Sequence, residues 1–267
     1  MVGYLGPARS PADLLFHGTH SLEHQSHSPR ELLHGTVNVD GYGVAWYPED
    51  PPGAGAPVRI AEARPIWHDP DLEPLLRTVR ARAALAAIRN TTPGIPTDRT
   101  GVAPLTSGPW AFVLNGFIQD FRRTLMRPLH SLLPNPVYQQ LQGGSDTEAL
   151  FLLLQTGLRE GLSLSEATAR VVHRTLELGD GEGLEIQLNM VTCDGRTLVA
   201  TRAGTEEEQN SLYVRNSGFS EGDGGFIVAS EALDDESGWQ PVPPGTLVTS
   251  TLDGGARIEP LASIDDG

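Results

Sequence analysis

The chain has 267 residues, with 34 acidic side chains against 19 basic ones and a net charge of −15. A chain of this length can bury about 70–75% of its unfolded surface in a core without staples, while charge of this sign repels phosphate backbones and anionic lipid, which argues against nucleic-acid and membrane-surface roles. The single cysteine, Cys193, rules out a disulfide framework and a cysteine-based zinc site. The first thirty residues lack a basic stretch followed by an apolar one, and no apolar run approaches the ~20 residues of a membrane span. A soluble cytoplasmic protein is expected, folded as one domain over 1–267.

The opening residues MVGYL are apolar where most chains fray, so the chain reads as starting inside a buried strand. Gly6-Pro7 then reads as a turn. Ser10 is positioned to cap a first helix, with Pro11 at its first position and Asp13 in its first turn. Strands are expected at 2–5, 42–47, 58–63, 83–89, 110–115, 185–193, 197–202, 212–215, 226–229 and 246–250. PPGAGAP at 51–57 and EGDGG at 221–225 punctuate them as turns. Further helices are expected at 72–80 and at 118–133, the latter interrupted at Pro128. The clearest helices are SDTEALFLLLQTGL at 145–158 and SLSEATARVVHRTLEL at 163–178, each opening with a capping-box pattern, Ser145…Glu148 and Ser163…Glu166. Strands, a central helical block and more strands point to an α+β layered fold.

Several short patterns carry two readings. His17, His20, His24, His27 and His34 cluster early, but Gly18 and Ser28-Pro29 argue against the helix that would bring such pairs together, so no metal site is expected. GYGVAW at 41–46 contains GxG, yet a strand follows it where a dinucleotide site needs a helix, so close backbone approach is the better reading. VLNGF at 113–117 reads either as a hairpin turn or as an oxyanion hole built from an Asn amide and an unobstructed Gly N–H. Asp146 either complements a helix dipole or binds an ammonium group. Arg89, at the end of AALAAIR, either is an ordinary strand-end residue or grips a carboxylate with its fork of donors. GDGEG at 179–183 lacks the carboxylate spacing of a calcium loop.

Taken in order, NVDGYGVAWY, IRNTTPG, VLNGFIQDFRRTLMRP and GGSDTEALF resemble the class II glutamine amidotransferases, of the N-terminal-nucleophile hydrolase fold. SPRELLHGTVNVDGYGVAWY, PIWHDP and VASEALDDESGWQPVP are similar to the branch that hydrolyses γ-glutamyl-hercynylcysteine sulfoxide in ergothioneine biosynthesis. The resemblance spans residues 2 to about 248. It implies a four-layer αββα sandwich and hydrolysis of a γ-glutamyl amide by an N-terminal cysteine whose own α-amine is the base. By position, it implies that the Asn115 side chain and the Gly116 N–H form the oxyanion hole. Arg89 would hold the glutamyl α-carboxylate, Asp146 its α-ammonium, and the loop from Asn38 through Asp40 and Gly41 to Gly43 would shape the pocket. It implies no cofactor and no metal, and a small γ-glutamyl molecule as the partner. Tyr42, Trp46, Trp67 and Trp239 are the aromatic candidates for receiving the trimethylammonium of a hercynyl group.

The chain departs from the family pattern at two positions. The family typically begins Met-Cys-Arg, whereas here Met1 leads directly into Val2, so the nucleophilic cysteine expected just before Val2 is missing. Leu114 stands where the family usually has His before Asn-Gly. Retention of Arg89, Asn115, Gly116 and Asp146 favours a start lying upstream, with Met1 internal, over a catalytically inactive γ-glutamyl-binding protein. A subunit supplying ammonia from glutamine is the third reading.

Overall fold

The computed structural model describes residues 1–31, 33, 37–49, 55–90, 101–219 and 224–261. The turns expected at 51–57 and 221–225 lie partly outside the described residues, and His34 lies outside them.

β1 (Val2–Arg9) is apolar on both faces because both are covered. Met1 and Leu5 point inward, into a cluster with Leu85, Val113, Val191 and Leu198. Val2 and Tyr4 point outward, into a cluster with Leu14, Leu15, Leu22 and Leu76. β1 is central in a seven-stranded antiparallel sheet. Its neighbours are β4 (Ala81–Arg89) on one side and β10 (Phe226–Ala229) on the other. Beyond β4 lie β2 (Gly41–Pro48) and β3 (Val58–Glu62); beyond β10 lie β9 (Tyr213–Arg215) and β11 (Gln240–Pro241). A second, six-stranded sheet has the order β13-β12-β8-β7-β6-β5, made by β5 (Leu105–Ser107), β6 (Trp110–Ile118), β7 (Ile186–Cys193), β8 (Thr197–Arg202), β12 (Thr246–Thr251) and β13 (Gly255–Pro260).

The two sheets pack face to face through the inward residues, many of them alanines such as Ala83, Ala87, Ala111 and Ala200. Helices α1 (Ala12–Phe16), α2 (Leu22–His27) and α3 (Leu72–Arg77) cover the outer face of the first sheet. α4 (Met126–Ser131), α5 (Asn135–Tyr138), α6 (Asp146–Arg159) and α7 (Leu164–Asp180) cover that of the second. The result is the four-layer αββα arrangement.

Several local expectations change. The stretch 118–133 is not one helix. Ile118 is held in the β6–β7 ladder opposite Ile186, and the Gln119 N–H bonds to the Glu185 carbonyl at 2.9 Å, so the chain leaves as a strand. Helix begins only at Met126, where Pro128 falls in the first turn and forfeits no helical donor. Pro11 precedes α1 as its cap; Ser10 accepts from the Ala12 N–H and donates to the Leu76 carbonyl at 2.8 Å, tying α1 to α3. A helix does form at His24 and His27, whose ring centroids are 5.0 Å apart. Gly18, at φ +89°, and Ser28-Pro29 bound that helix and do not prevent it. Among the described residues, no three His, Cys, Asp or Glu converge as metal ligands. Asn115-Gly116 lies within β6, so the hairpin reading does not hold. The capping box at Ser163 is complete. At Ser145 it is half-made, because the Glu148 carboxylate turns to the Gln142 and Gly143 N–H groups at 2.7 and 2.8 Å. β5, β11 and β13 were not expected; they lie at sheet edges, and the mostly exposed β13 lacks the apolar alternation of a half-buried strand.

Candidate active site

A small cavity, about 30 Å³, opens at the start of β1; Met1, Asn38, Asn115, Ser211, Ser230 and Glu231 are among its walls. It has room for about one water molecule. The Met1 ammonium lies inside and donates to Ser230 Oγ at 2.7 Å. Burial lowers the pKa of this amine from 8.0 to about 5, against the opposing charge of Glu231. Glu231 is held from two sides: His20 Nε2 donates to it at 2.7 Å and the Arg30 N–H at 2.8 Å. Glu231 lines the cavity, and His20, 1% exposed, holds it from behind.

Asn115 reaches the cavity through strand alternation. On β6, Phe112 faces the helices and Val113 faces the other sheet, so Leu114 faces the helices and Asn115 faces inward. Leu114 packs against the α6–α7 side. A leucine where the family usually has histidine therefore does not change the cavity lining. Across the ladder from Asn115 is Asn189, whose Nδ2 donates to the Asn210 and Ser211 carbonyls at 3.0 and 2.8 Å and pins that loop beside the cavity.

Gly116 follows Asn115 because nothing larger fits. A Cβ there would lie 1.9 Å from the Gln187 carbonyl oxygen, a backbone atom that cannot swing away. Gly116→Ala is expected to cost at least ~3 kcal/mol of stability. A urea denaturation midpoint that drops with an unchanged slope would report it, and an unmoved midpoint would contradict it.

Arg89 ends β4 directly across from Gly41 of β2, and its carbonyl accepts the Asp40 N–H at 2.9 Å. Its Nη1 donates to the Gly101 carbonyl at 2.6 Å. The Asn38 N–H bonds to the Ser26 carbonyl at 2.7 Å, which seats the 38–41 loop on α2. Asp146 opens α6 and accepts from the Ile118 N–H at 3.1 Å and the Thr147 N–H at 2.7 Å. Desolvation pushes its carboxyl above the usual range, those donors and the Arg89 charge pulling the other way.

Asn38 and Asn115 thus meet the Met1 amine in one cavity, with Gly116 adjoining. Arg89, Asp40 and Gly41 sit together at the paired ends of β4 and β2, and Asp146 is close enough to feel the Arg89 charge. Cys193 is elsewhere, fully buried in β7, its thiol pushed up to about 12 by desolvation. The aromatic candidates do not line the cavity. Tyr42 and Trp46 are buried in the outer core, with the Tyr42 hydroxyl bonded to Asp69. Trp67 is 42% exposed with its edge to His27, and Trp239 lies under the Arg215 guanidinium, 4.5 Å from ring centre to charge. Sequence reasoning gives no role to Ser230, Glu231 or Asn189 and weighs His20 only as a metal ligand; the signal for Ser230 and Glu231 is a polar pair ending the apolar strand FIVA, within the string VASEALDDESGWQPVP.

A family model described as glutamine amidotransferases class-II matches residues 19–222. The γ-glutamyl-hercynylcysteine sulfoxide hydrolase of Mycolicibacterium smegmatis is 27% identical over 247 residues, 92% of this chain and 93% of that protein. The hydrolase of the same name from Mycobacterium tuberculosis is 27% identical over 254 residues, 95% of this chain and 93% of that protein. A glutamine aminotransferase class-II domain protein from Silicibacter pomeroyi superposes with a TM-score of 0.69 over 98% of both chains; at 23% identity this is a likeness of fold. Among the described residues, no helix is long and apolar enough to cross a membrane.

Proposed function

The chain belongs to the class-II glutamine amidotransferases, and from that premise we propose that it is one domain over 1–267 that holds a γ-glutamyl group and hydrolyses its γ-amide bond. The observation that carries the reading is the grouping of Asn38, Asn115 and a buried chain start in one cavity, with Arg89 next in the chain to the lining residue Ile88 and Asp146 within reach of the Arg89 charge. A glutamyl head is a zwitterion. Arg89 is suited to its α-carboxylate, and Asp146 to its α-ammonium. Asp146 is already desolvated in the fold, so an arriving cation relieves a cost that folding has met. The Asn115 amide and the Gly116 N–H are neutral donors, suited to the oxyanion that forms at the γ-carbonyl. The names of the mycobacterial relatives support γ-glutamyl-hercynylcysteine sulfoxide as the substrate, released as glutamate and hercynylcysteine sulfoxide.

The attacking group is a cysteine ahead of Val2 in this reading. Met1 occupies the position just before Val2, and β1 pairs Val2 with Ala86. Continued in that register, a residue two before Met1 would pair with Arg89. That is the level at which the scissile bond of a γ-glutamyl group held by Arg89 is expected. A second reading is a protein that binds γ-glutamyl compounds without cleaving them. Calorimetric titration with a γ-glutamyl amide tests the shared part. Arg89→Ala and Asp146→Asn are each expected to weaken binding at least ~30-fold, the cost of leaving a desolvated charge unpaired. Unchanged affinity in both variants would sink the glutamyl site. Release of glutamate by a chain carrying Cys-Arg ahead of Met1 separates the two readings.

A further inference from the structure

Four strands end the two sheets and have no partner strand on their outer side among the described residues: β11 and β3 in the first sheet, β5 and β13 in the second. β11 has two residues and β5 three, too few to hold a second chain. β3 has five and β13 six. β13 is the more open of these. Five of its residues are exposed and Ala256 is half-buried; Ile258 is 44% exposed. Its register with β12 sets its faces. Ile258 lies opposite Val248, part of the core between the sheets, and Glu259 lies opposite Leu247, which packs with Leu164 of α7. Ala256 and Ile258 therefore share the face toward the other sheet, and Arg257 and Glu259 the face toward the helices. Both charged residues are exposed, so the helix layer stops short of them.

Alternate residues of an edge strand aim their N–H and C=O groups outward. A second antiparallel copy pairs through those same residues, so a two-fold axis passes through a residue and not between two. On β13, an axis through Arg257 sets arginine against arginine, and one through Glu259 sets glutamate against glutamate. Like charges directly opposite destabilise a pair of strands. An axis through Ile258 instead sets Arg257 of each copy against Glu259 of the other on one face, and Ile258 against Ile258 on the opposite face. Pro260, which has no N–H to give, then falls at the end of the pairing, opposite Ala256. β3 has no such solution. Its Arg59 and Glu62 are three apart, so they never oppose each other in a self-pair of this kind. Arg59 is also committed, donating to the Pro104 carbonyl at 2.6 Å.

We propose that β13 is an interface for a second copy of this chain, paired antiparallel about Ile258, which joins two six-stranded sheets into one of twelve strands. Two reciprocal Arg257–Glu259 pairs fix the register, and burial of Ile258 against its counterpart adds apolar contact. Six residues a side form a small contact, so the dimer is weak and depends on concentration.

The test is sedimentation of the full chain in about 0.15 M salt, where the net charge of −15 on each copy is screened beyond about 8 Å. The weight-average mass is expected to rise from 28.6 kDa toward twice that value between about 5 and 500 μM. Arg257→Glu and Glu259→Arg should each weaken association at least ~10-fold, because two attractive pairs become two repulsive ones. An equimolar mixture of the two variants should associate again, since the doubly acidic strand of one then faces the doubly basic strand of the other. That recovery also shows that both variants are folded. A full chain that stays at 28.6 kDa throughout overturns the interface. So does a single variant that associates as tightly as the unaltered chain, or a mixture that associates no better than its components.

Discussion

A chain that begins Cys-Arg ahead of Met1 is expected to release glutamate from a γ-glutamyl amide at least ~10³-fold faster than the chain beginning at Met1. The expectation follows from what the cavity holds. Asn115 lines the cavity, with Gly116, Arg89 and Asp146 as the other residues of the proposed site, and none of them is a thiol. Cys193 is buried in another strand with its thiol pushed up to about 12, so it supplies no thiolate at neutral pH. The N-terminal amine is the second half of the device, since it takes the thiol proton. In the β1–β4 register, two added residues carry thiol and amine together to the level of Arg89. The control is the same extension with Ala in place of Cys, which keeps the strand and removes the sulfur. Equal rates from the two extensions would reject cysteine catalysis and favour the binding reading. Cys193→Ser should leave the rate of the extended chain unchanged. The mass of the N-terminal peptide in each preparation fixes which chain start is being measured.

The stability of the chain beginning at Met1 should rise as pH increases from 5 to 8. The Met1 amine has a pKa of 8.0 when exposed and about 5 in the fold, because burial penalises the ammonium more than Glu231 stabilises it. Between those values the unfolded chain carries a proton that the folded chain lacks, so raising the pH favours folding. The penalty is absent above 8 and complete below 5, where three pKa units amount to about 4 kcal/mol. Urea midpoints at pH 5.5, 6.5, 7.5 and 8.5 measure it, against the same chain acetylated on Met1. Acetylation adds bulk and shifts the level of the curve, but it removes the titration, so the two curves should converge on lowering the pH. Parallel curves would show that the amine is not buried as described. Asp146 works in the opposite sense. Its raised carboxyl favours the folded state at acid pH, and it is common to both chains.

The same buried amine shows how much could be read from the chain alone. The run MVGYL is apolar at consecutive positions, which only a strand covered on both faces requires, and β1 is such a strand. The capped helix openings at Ser145 and Ser163 fixed α6 and α7 nearly to the residue, because a side-chain oxygen bonding its own helix start is a local event. Where local signals misled, a distant partner had intervened. Ile118 became strand because Ile186 was there to pair with it, and His24 and His27 became helical because the breakers around them marked its ends.

Composition and motif order by themselves determined the family and the layered fold, and they pointed to Asn38, Arg89, Asn115, Gly116 and Asp146 as the residues of the proposed site. Each sits within a short recognisable string, and each owes its chemistry to its own residue type. Only the tertiary structure decided which way these residues face and what stands beside them. Strand alternation and sheet order turn Leu114 away from the cavity and Asn115 into it. They also bring Ser230 and Glu231, more than two hundred positions along the chain, against Met1, and keep Tyr42, Trp46 and Trp239 off the cavity wall. Those are long-range pairings, and the free energy that selects them is spread over two sheets and their helix layers rather than written in any one segment.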